Sequence, residues 1–156
     1  MNISYSDPGT VIAKTKSESI RIGSEVRIGN YRVTTAGECD IAAIQCESHY
    51  LSTGMVHFMH ADDLTLTFLS EIQPEVTKLD DASNTDILVV DVRSDNTADQ
   101  LKPILKAMEP GYLFLIGAGA TPEFFQALGL PIEENNNLKV SRTSLPEEGT
   151  TLIRPQ

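Results

Sequence analysis

Three imidazoles and two thiols are the side chains of this 156-residue chain best suited to chemistry: His49, His57, His60, Cys39 and Cys46. Metal-dependent hydrolysis would need several of them to converge. A catalytic zinc takes at least three protein ligands about 2.0–2.2 Å away and keeps one position open for water, which it makes acidic enough to attack near neutral pH. His57 and His60 lie in "MVHFMHA" (55–61), which reads as a strand. Their odd separation sends them to opposite faces. His49, in the preceding strand, can approach only one of them across a hairpin. Histidines on half-buried strands are usually hydrogen-bonded bystanders, and no metal or other cofactor is expected. The cysteines are seven positions apart, so on a shared strand they would face opposite ways. They form no C-x-x-C pair. Two free thiols are expected, each explained by burial of a small apolar side chain. No oxyanion donor or ordered base marks either as a nucleophile.

Two other segments invite a functional reading. "GAGATP" (117–122) follows an apolar run and precedes a helical pattern. A dinucleotide fingerprint needs G-x-G-x-x-G after the first strand of its unit and an acidic residue about 20 positions on. Here Pro122 holds the third glycine's place, the strand is late in the chain, and Glu133 and Glu134 lie beyond a short helix. A tight strand-to-helix turn is the simpler reading. Asp91, Asp95 and Asp99 suggest a Mg²⁺-binding acidic patch, but that needs carboxylates from a neighbouring parallel strand. The bland alternative is that Asp91 and Asp95 solvate a loop and Asp99 favours a helix N-terminus.

The elements that must position these groups divide in two. Residues 1–72 are punctuated every few residues and read as an antiparallel β-meander. "TVIAKT" is a strand, and "SIRIGSEVRIGNYRVT" holds three short ones split at Gly23-Ser24 and Gly29-Asn30. "DIAAIQCESHY" (40–50) reads as one longer strand, and Asp62-Asp63 turns the chain between "MVHFMHA" and "LTLTFLS". After the polar connection "PEVTKLDDASN" the pattern changes. "DILVVDV" and "YLFLI" are continuous apolar runs, as expected of strands buried on both faces. Between them Leu101, Ile104, Leu105 and Met108 repeat at helical spacing, with Thr97 and Gln100 placed as a capping box. Pro103 fits best in that helix's first turn. Thr121 and Pro122 open a second helix that Gly129 closes. "EENNN" (133–137) reads as a mobile loop, and "LKVSR" and "TTLIR" as a closing hairpin.

Composition adds bounds. The chain is 40% hydrophobic and 22% charged, with a net charge of −10, ordinary for one soluble domain. An acidic surface repels phosphate backbones and anionic membranes, so neither nucleic acid nor membrane is an expected partner. The opening "MNISYSDPGT" lacks the basic and apolar regions of a secretory leader, so a cytoplasmic location is expected.

Segment by segment, the chain resembles the small metallo-β-lactamase-fold hydrolases of the lactonase-like, zinc-dependent type. The resemblance is carried by "MNISYSDPGTVIAKTKSESIRI", "YRVTTAGECDIAAIQC", "MVHFMHADDLTLTFLSEI", "TDILVVDVRSDNTADQLKPILKAMEPGYLFLIGAG" and "FFQALGLPIEENNNLKVSRTSLPEEGTTLI". It implies a reduced αββα-type α/β fold in a single domain, 1–156: an antiparallel meander, then a βαβ unit, a short helix and a C-terminal β-hairpin over 85–156. It also implies where a metal site would lie. The family's H-x-H-x-D-H loop, due after "SESIRI", is absent. Its early Gly-His falls near Ser6-Asp7, its Gly-Asp on Ser70-Glu71, and its final histidine on Ala118. Ser70, Glu71, Gly117, Ala118 and Gly119 thus mark a former active-site region without a metal motif. What the resemblance implies is a non-catalytic binding or assembly module. The alternatives are a divergent ester or lactone hydrolase using Glu71, His57 or His60, and a binder of phosphate- or nucleotide-containing ligands in the former cleft. In the family the missing loop leads into a helix that covers a sheet. Its loss should expose apolar surface and favour a homo-oligomer, most simply a dimer.

Overall fold

Short alternating segments joined by tight turns can pair only with their neighbours, and the first part of the chain does so. The computed structural model describes residues 1–156. Strands β1 (Asn2–Asp7), β2 (Thr10–Lys14), β3 (Ser19–Ile22), β4 (Val26–Ile28) and β5 (Tyr31–Val33) form an antiparallel sheet in sequence order. The second sheet takes β6 (Gly37–Ile41), β7 (Ile44–Tyr50), β8 (Met55–Ala61) and β9 (Leu64–Leu69) as an antiparallel run. It then continues in parallel through β10 (Ile87–Asp91), β11 (Tyr112–Ile116) and β14 (Thr151–Arg154) to β12 (Ile132–Glu134). Strand β13 (Leu138–Lys139) crosses back to pair with β1 in the first sheet.

One core fills the space between the sheets, built on Ile3, Ile20, Leu66, Val89 and Phe114. The other lies between the second sheet and helices α1 (Ala98–Met108) and α2 (Pro122–Leu128), with Leu88, Val90, Leu101, Ile104 and Leu113 at its centre. Strands β9, β10 and β11 therefore face a core on both sides, as the continuous apolar runs of β10 and β11 require, while β9 alternates leucine and phenylalanine with the buried Thr65 and Thr67. Tyr5 ties the layers together. Its ring packs 5.6 Å from that of Phe114. Its hydroxyl accepts from Leu115 N–H at 3.2 Å and lies 3.1 Å from the Ile153 carbonyl, where β11 and β14 stop pairing. Burial raises its pKa well above the ordinary phenol value.

Several expectations are corrected. Residues 40–50 are not one strand: the chain reverses at Ala42-Ala43, both left-handed at φ 51° and 61°. Alanine carries no signal for that conformation, which glycine or asparagine normally supplies. The closing hairpin does not form, because β13 and β14 join different sheets. Part of "EENNN" is ordered as β12. The polar connection contains 3-10 turns, Pro74–Lys78 and Asp80–Asn84, which bury Val76 and Ala82. Pro103 lies inside α1 rather than in its first turn.

The outer face of the first sheet carries no helix, yet it is polar. Register places Ser4, Ile12, Arg21, Arg27 and Arg32 in one cross-strand row, with Lys139, Asn2, Lys14 and Ser19 in the next. Glu25 bridges Arg27 at 2.5 Å and Arg32 at 2.8 Å. The large exposed apolar side chains are Tyr31, Tyr50 and Ile132, on separate strands. The apolar patch expected from loss of the covering helix is therefore absent.

Removing the Tyr5 hydroxyl leaves backbone groups of Leu115 and Ile153 without their partner. Tyr5→Phe is expected to lower stability by about 1–3 kcal/mol, measured by urea unfolding, with the fold retained.

Candidate functional site

Strands buried on both faces leave room for chemistry only at their ends. The carboxyl ends of β9, β10 and β11 lie side by side, since Val90 pairs with Leu69 and Asp91 with Ile116. There a cleft of about 420 Å³ opens between the sheets. His57, Ser70, Glu71, Asp91 and Arg93 line its second-sheet side. Residues 23–26 and 32–34 close the other side, with Glu25 and Arg32 among them.

The charges in this cleft face one another. The Arg93 guanidinium donates to the Glu71 carboxylate. Asp91, beside them, has its pKa raised by burial, opposed by Arg93 and reinforced by Glu71. Ser70 Oγ accepts from Met55 N–H at 2.8 Å, which anchors the start of β8. Residues 117–119 wrap around the end of β10. Gly117 is left-handed at φ 95°, and a Cβ there would lie 2.2 Å from Asp91 Oδ1. A Cβ on Gly119 would lie 2.0 Å from the Arg93 carbonyl oxygen. These glycines permit close backbone passage. Three donors of their turn are used internally, the N–H groups of Gly119, Ala120 and Thr121 bonding to the Val92, Gly117 and Gly119 carbonyls. Thr121 caps α2 through Phe124 N–H. Ala118 points to solvent.

The histidines do not meet. His57 faces the inter-sheet core, its ring stacked 6.0 Å from Phe68 at 6°. Ser48 Oγ lies 2.7 Å from its Nδ1. Burial pushes its pKa down to about 4. His49 and His60 lie on the other face of the sheet, by strand alternation. His49 bonds Glu47 at 2.7 Å, and His60 bonds Thr65 at 3.0 Å. No three His, Cys, Asp or Glu side chains are grouped to hold an ion. The zinc that the resemblance implies does not fit this donor set: one imidazole and the Asp91 carboxylate reach the cleft, and Glu71 is already paired with a guanidinium. Asp91, Asp95 and Asp99 do not converge either, since Asp99 pairs with Lys102 on α1 at 3.2 Å.

Sequence reasoning missed Arg93, Glu25 and Arg32 as cleft residues, because β9, β10 and the β4–β5 hairpin meet only in three dimensions. It also separated the cysteines. Cys39 and Cys46 stand directly opposite each other on β6 and β7, so they share a face instead of projecting apart.

Two outcomes follow. His57 has a folded pKa of about 4 against an ordinary 6.5. Between these values the unfolded chain binds a proton that the folded chain refuses, so stability falls as pH drops from about 6.5 to about 4. That contribution is on the order of 3 kcal/mol. The stability difference between wild type and His57→Asn should change through this window and stay flat above pH 7. Separately, Gly119→Ala should destabilise by about 1–3 kcal/mol or more through overpacking, read as a lowered thermal midpoint.

No protein-family model matches the chain, and no curated protein matches it. A solved structure does match in shape. It is the crystal structure of a protein from Thermotoga maritima assigned as a Zn-dependent hydrolase of the metallo-β-lactamase superfamily. The two superpose with a TM-score of 0.73 over 100% of both chains, at 11% sequence identity. The paired sheets, the antiparallel first half and the helices on one side agree with that likeness, and the chain has the metallo-β-lactamase fold.

Proposed function

We propose that this chain is a non-catalytic bearer of the fold, acting as one domain and as a binding or assembly module in the cytoplasm. The observation that carries the reading is the internal pairing of the charges in the cleft, where Asp91 alone has no ion-pair partner. Glu71 is held by Arg93, Glu25 by Arg27 and Arg32, and the single imidazole present is kept neutral at pH 7 by burial. A hydrolytic centre requires groups left free to polarise substrate and activate water. Here the guanidinium and carboxylate neutralise each other.

The alternative of a divergent hydrolase finds less support. Glu71 is engaged, His60 is on another face, and Ser48 binds His57 inside the core rather than in the open cleft. A phosphate or nucleotide binder at residues 117–121 would find three of the turn's backbone donors, on Gly119, Ala120 and Thr121, already bonded internally. Self-association, if present, must use surfaces other than an apolar patch. No helix is long and apolar enough to cross a membrane.

The deciding measurement is the metal content of protein purified without chelator, together with hydrolysis of small esters and lactones in added zinc. Substoichiometric zinc and no turnover above buffer are expected. One zinc per chain with zinc-dependent turnover would overturn the reading.

A further inference from the structure

We propose that Cys39 and Cys46 form a dithiol site that small organic disulfides oxidise reversibly to an intramolecular disulfide. The pairing register carries this. Cys39 and Cys46 are direct cross-strand partners near the Ala42-Ala43 turn of the β6–β7 hairpin. A two-residue turn makes Ile41 and Ile44 a hydrogen-bonded pair. Two steps on, Cys39 and Cys46 repeat that geometry, with Cα atoms about 5.5 Å apart. A disulfide spans roughly 4.4–6.8 Å between Cα atoms. Both side chains face the inter-sheet core, and both thiols are free. Strand β6 is the last of its sheet, so one of its edges is unpaired and its adjustment disturbs no further strand.

The two sulfurs are unequal. Cys39 is partly buried, whereas Cys46 is 2% exposed. Burial also raises the Cys46 thiol to about 11. Cys39 is therefore the sulfur that meets the oxidant. Its thiolate attacks one sulfur of the small disulfide, that S–S bond breaks, and the first thiol leaves with the proton lost from Cys39. Cys46, deprotonated in turn, attacks the Cys39 sulfur of the mixed disulfide, and the second thiol leaves with its proton. The protein loses two electrons and two protons, and the oxidant becomes two thiols. Glu38 and Asp40 flank Cys39, and Glu47 follows Cys46. By strand alternation these carboxylates lie on the opposite face of the hairpin from the sulfurs, and with the net charge of −10 their field favours a cationic disulfide over an anionic one.

The change is visible away from the sulfurs. Cys46 Sγ lies 3.6 Å from Ser48 Oγ, which lies 2.7 Å from His57 Nδ1. A disulfide sulfur has no proton to donate to Ser48, so oxidation perturbs the His57 ring environment.

The test treats the full chain with cystamine, and in parallel with oxidised glutathione. Expected is an intact mass lower by two hydrogens, restored by dithiothreitol, formed faster with cystamine at low salt, and a His57 imidazole resonance that shifts on oxidation. Cys46→Ser should stall as a mixed disulfide at Cys39, and Cys39→Ser should remain largely unmodified. A wild-type protein that keeps a stable adduct, oxidises only between chains, or retains both thiols would overturn the proposal. Because the mass measurement needs only wild-type protein, a misfolded variant does not blunt it.

Discussion

Burial of β9, β10 and β11 on both faces is the constraint from which the rest of this structure follows. Each of these strands has a core above and below it, so the side chains of β10 and β11 are apolar almost throughout, and the two threonines of β9 are buried with hydrogen-bond partners, His60 and Thr85. Polar groups are pushed to the strand ends, where Ser70, Glu71, Asp91 and Arg93 emerge together. The same constraint demands close packing at those ends. Gly117 and Gly119 answer that demand, for any side chain there would enter the space of Asp91 or of the Arg93 carbonyl.

What occupies the strand ends differs from what a hydrolase would need. An ion held by several imidazoles presents unneutralised charge to a substrate. Arg93 with Glu71, and Glu25 with Arg27 and Arg32, present paired charges on flexible, partly exposed side chains. Such pairs add little to stability and offer little to a transition state. The fold is kept by its two apolar cores and by Tyr5 between layers, none of which depends on the content of the cleft. The scaffold and the chemistry it could support are separable here.

Much of the scaffold was legible in the residues. Continuous runs such as "DILVVDV" and "YLFLI" announced strands buried on both faces, and Thr121, Pro122 and Gly129 marked both ends of α2. These signals are local, so no tertiary context was required. The failures share a cause of the opposite kind. Ala42-Ala43 turns because the flanking strands pair, not because alanine favours φ above zero. "LKVSR" and "TTLIR" look like a hairpin, but each is claimed by an older edge, β1 for one and β11 for the other. The 3-10 turns after Pro74 owe their order to packing against α1. The site was legible as a location, through Ser70-Glu71 and residues 117–119. Its partners were not: Arg93, Glu25 and Arg32 arrive from elements distant in sequence, and the cysteine pairing depended on a turn with no signature.

The cross-strand row of Arg21, Arg27 and Arg32, with Lys14 and Lys139 beside it, means that a single total of −10 describes this molecule poorly. Asp7 is the acidic side chain among the outward positions of those strands, and Glu25 pairs with Arg27 and Arg32 beside them, while Glu38, Asp40 and Glu47 crowd the hairpin at the edge of the other sheet. Several of the chain's cations are thus gathered on one sheet face of a molecule with an excess of anions. At low ionic strength an approaching anion would meet less repulsion on that side than elsewhere, a difference that fades once salt shortens the reach of the field to about 10 Å.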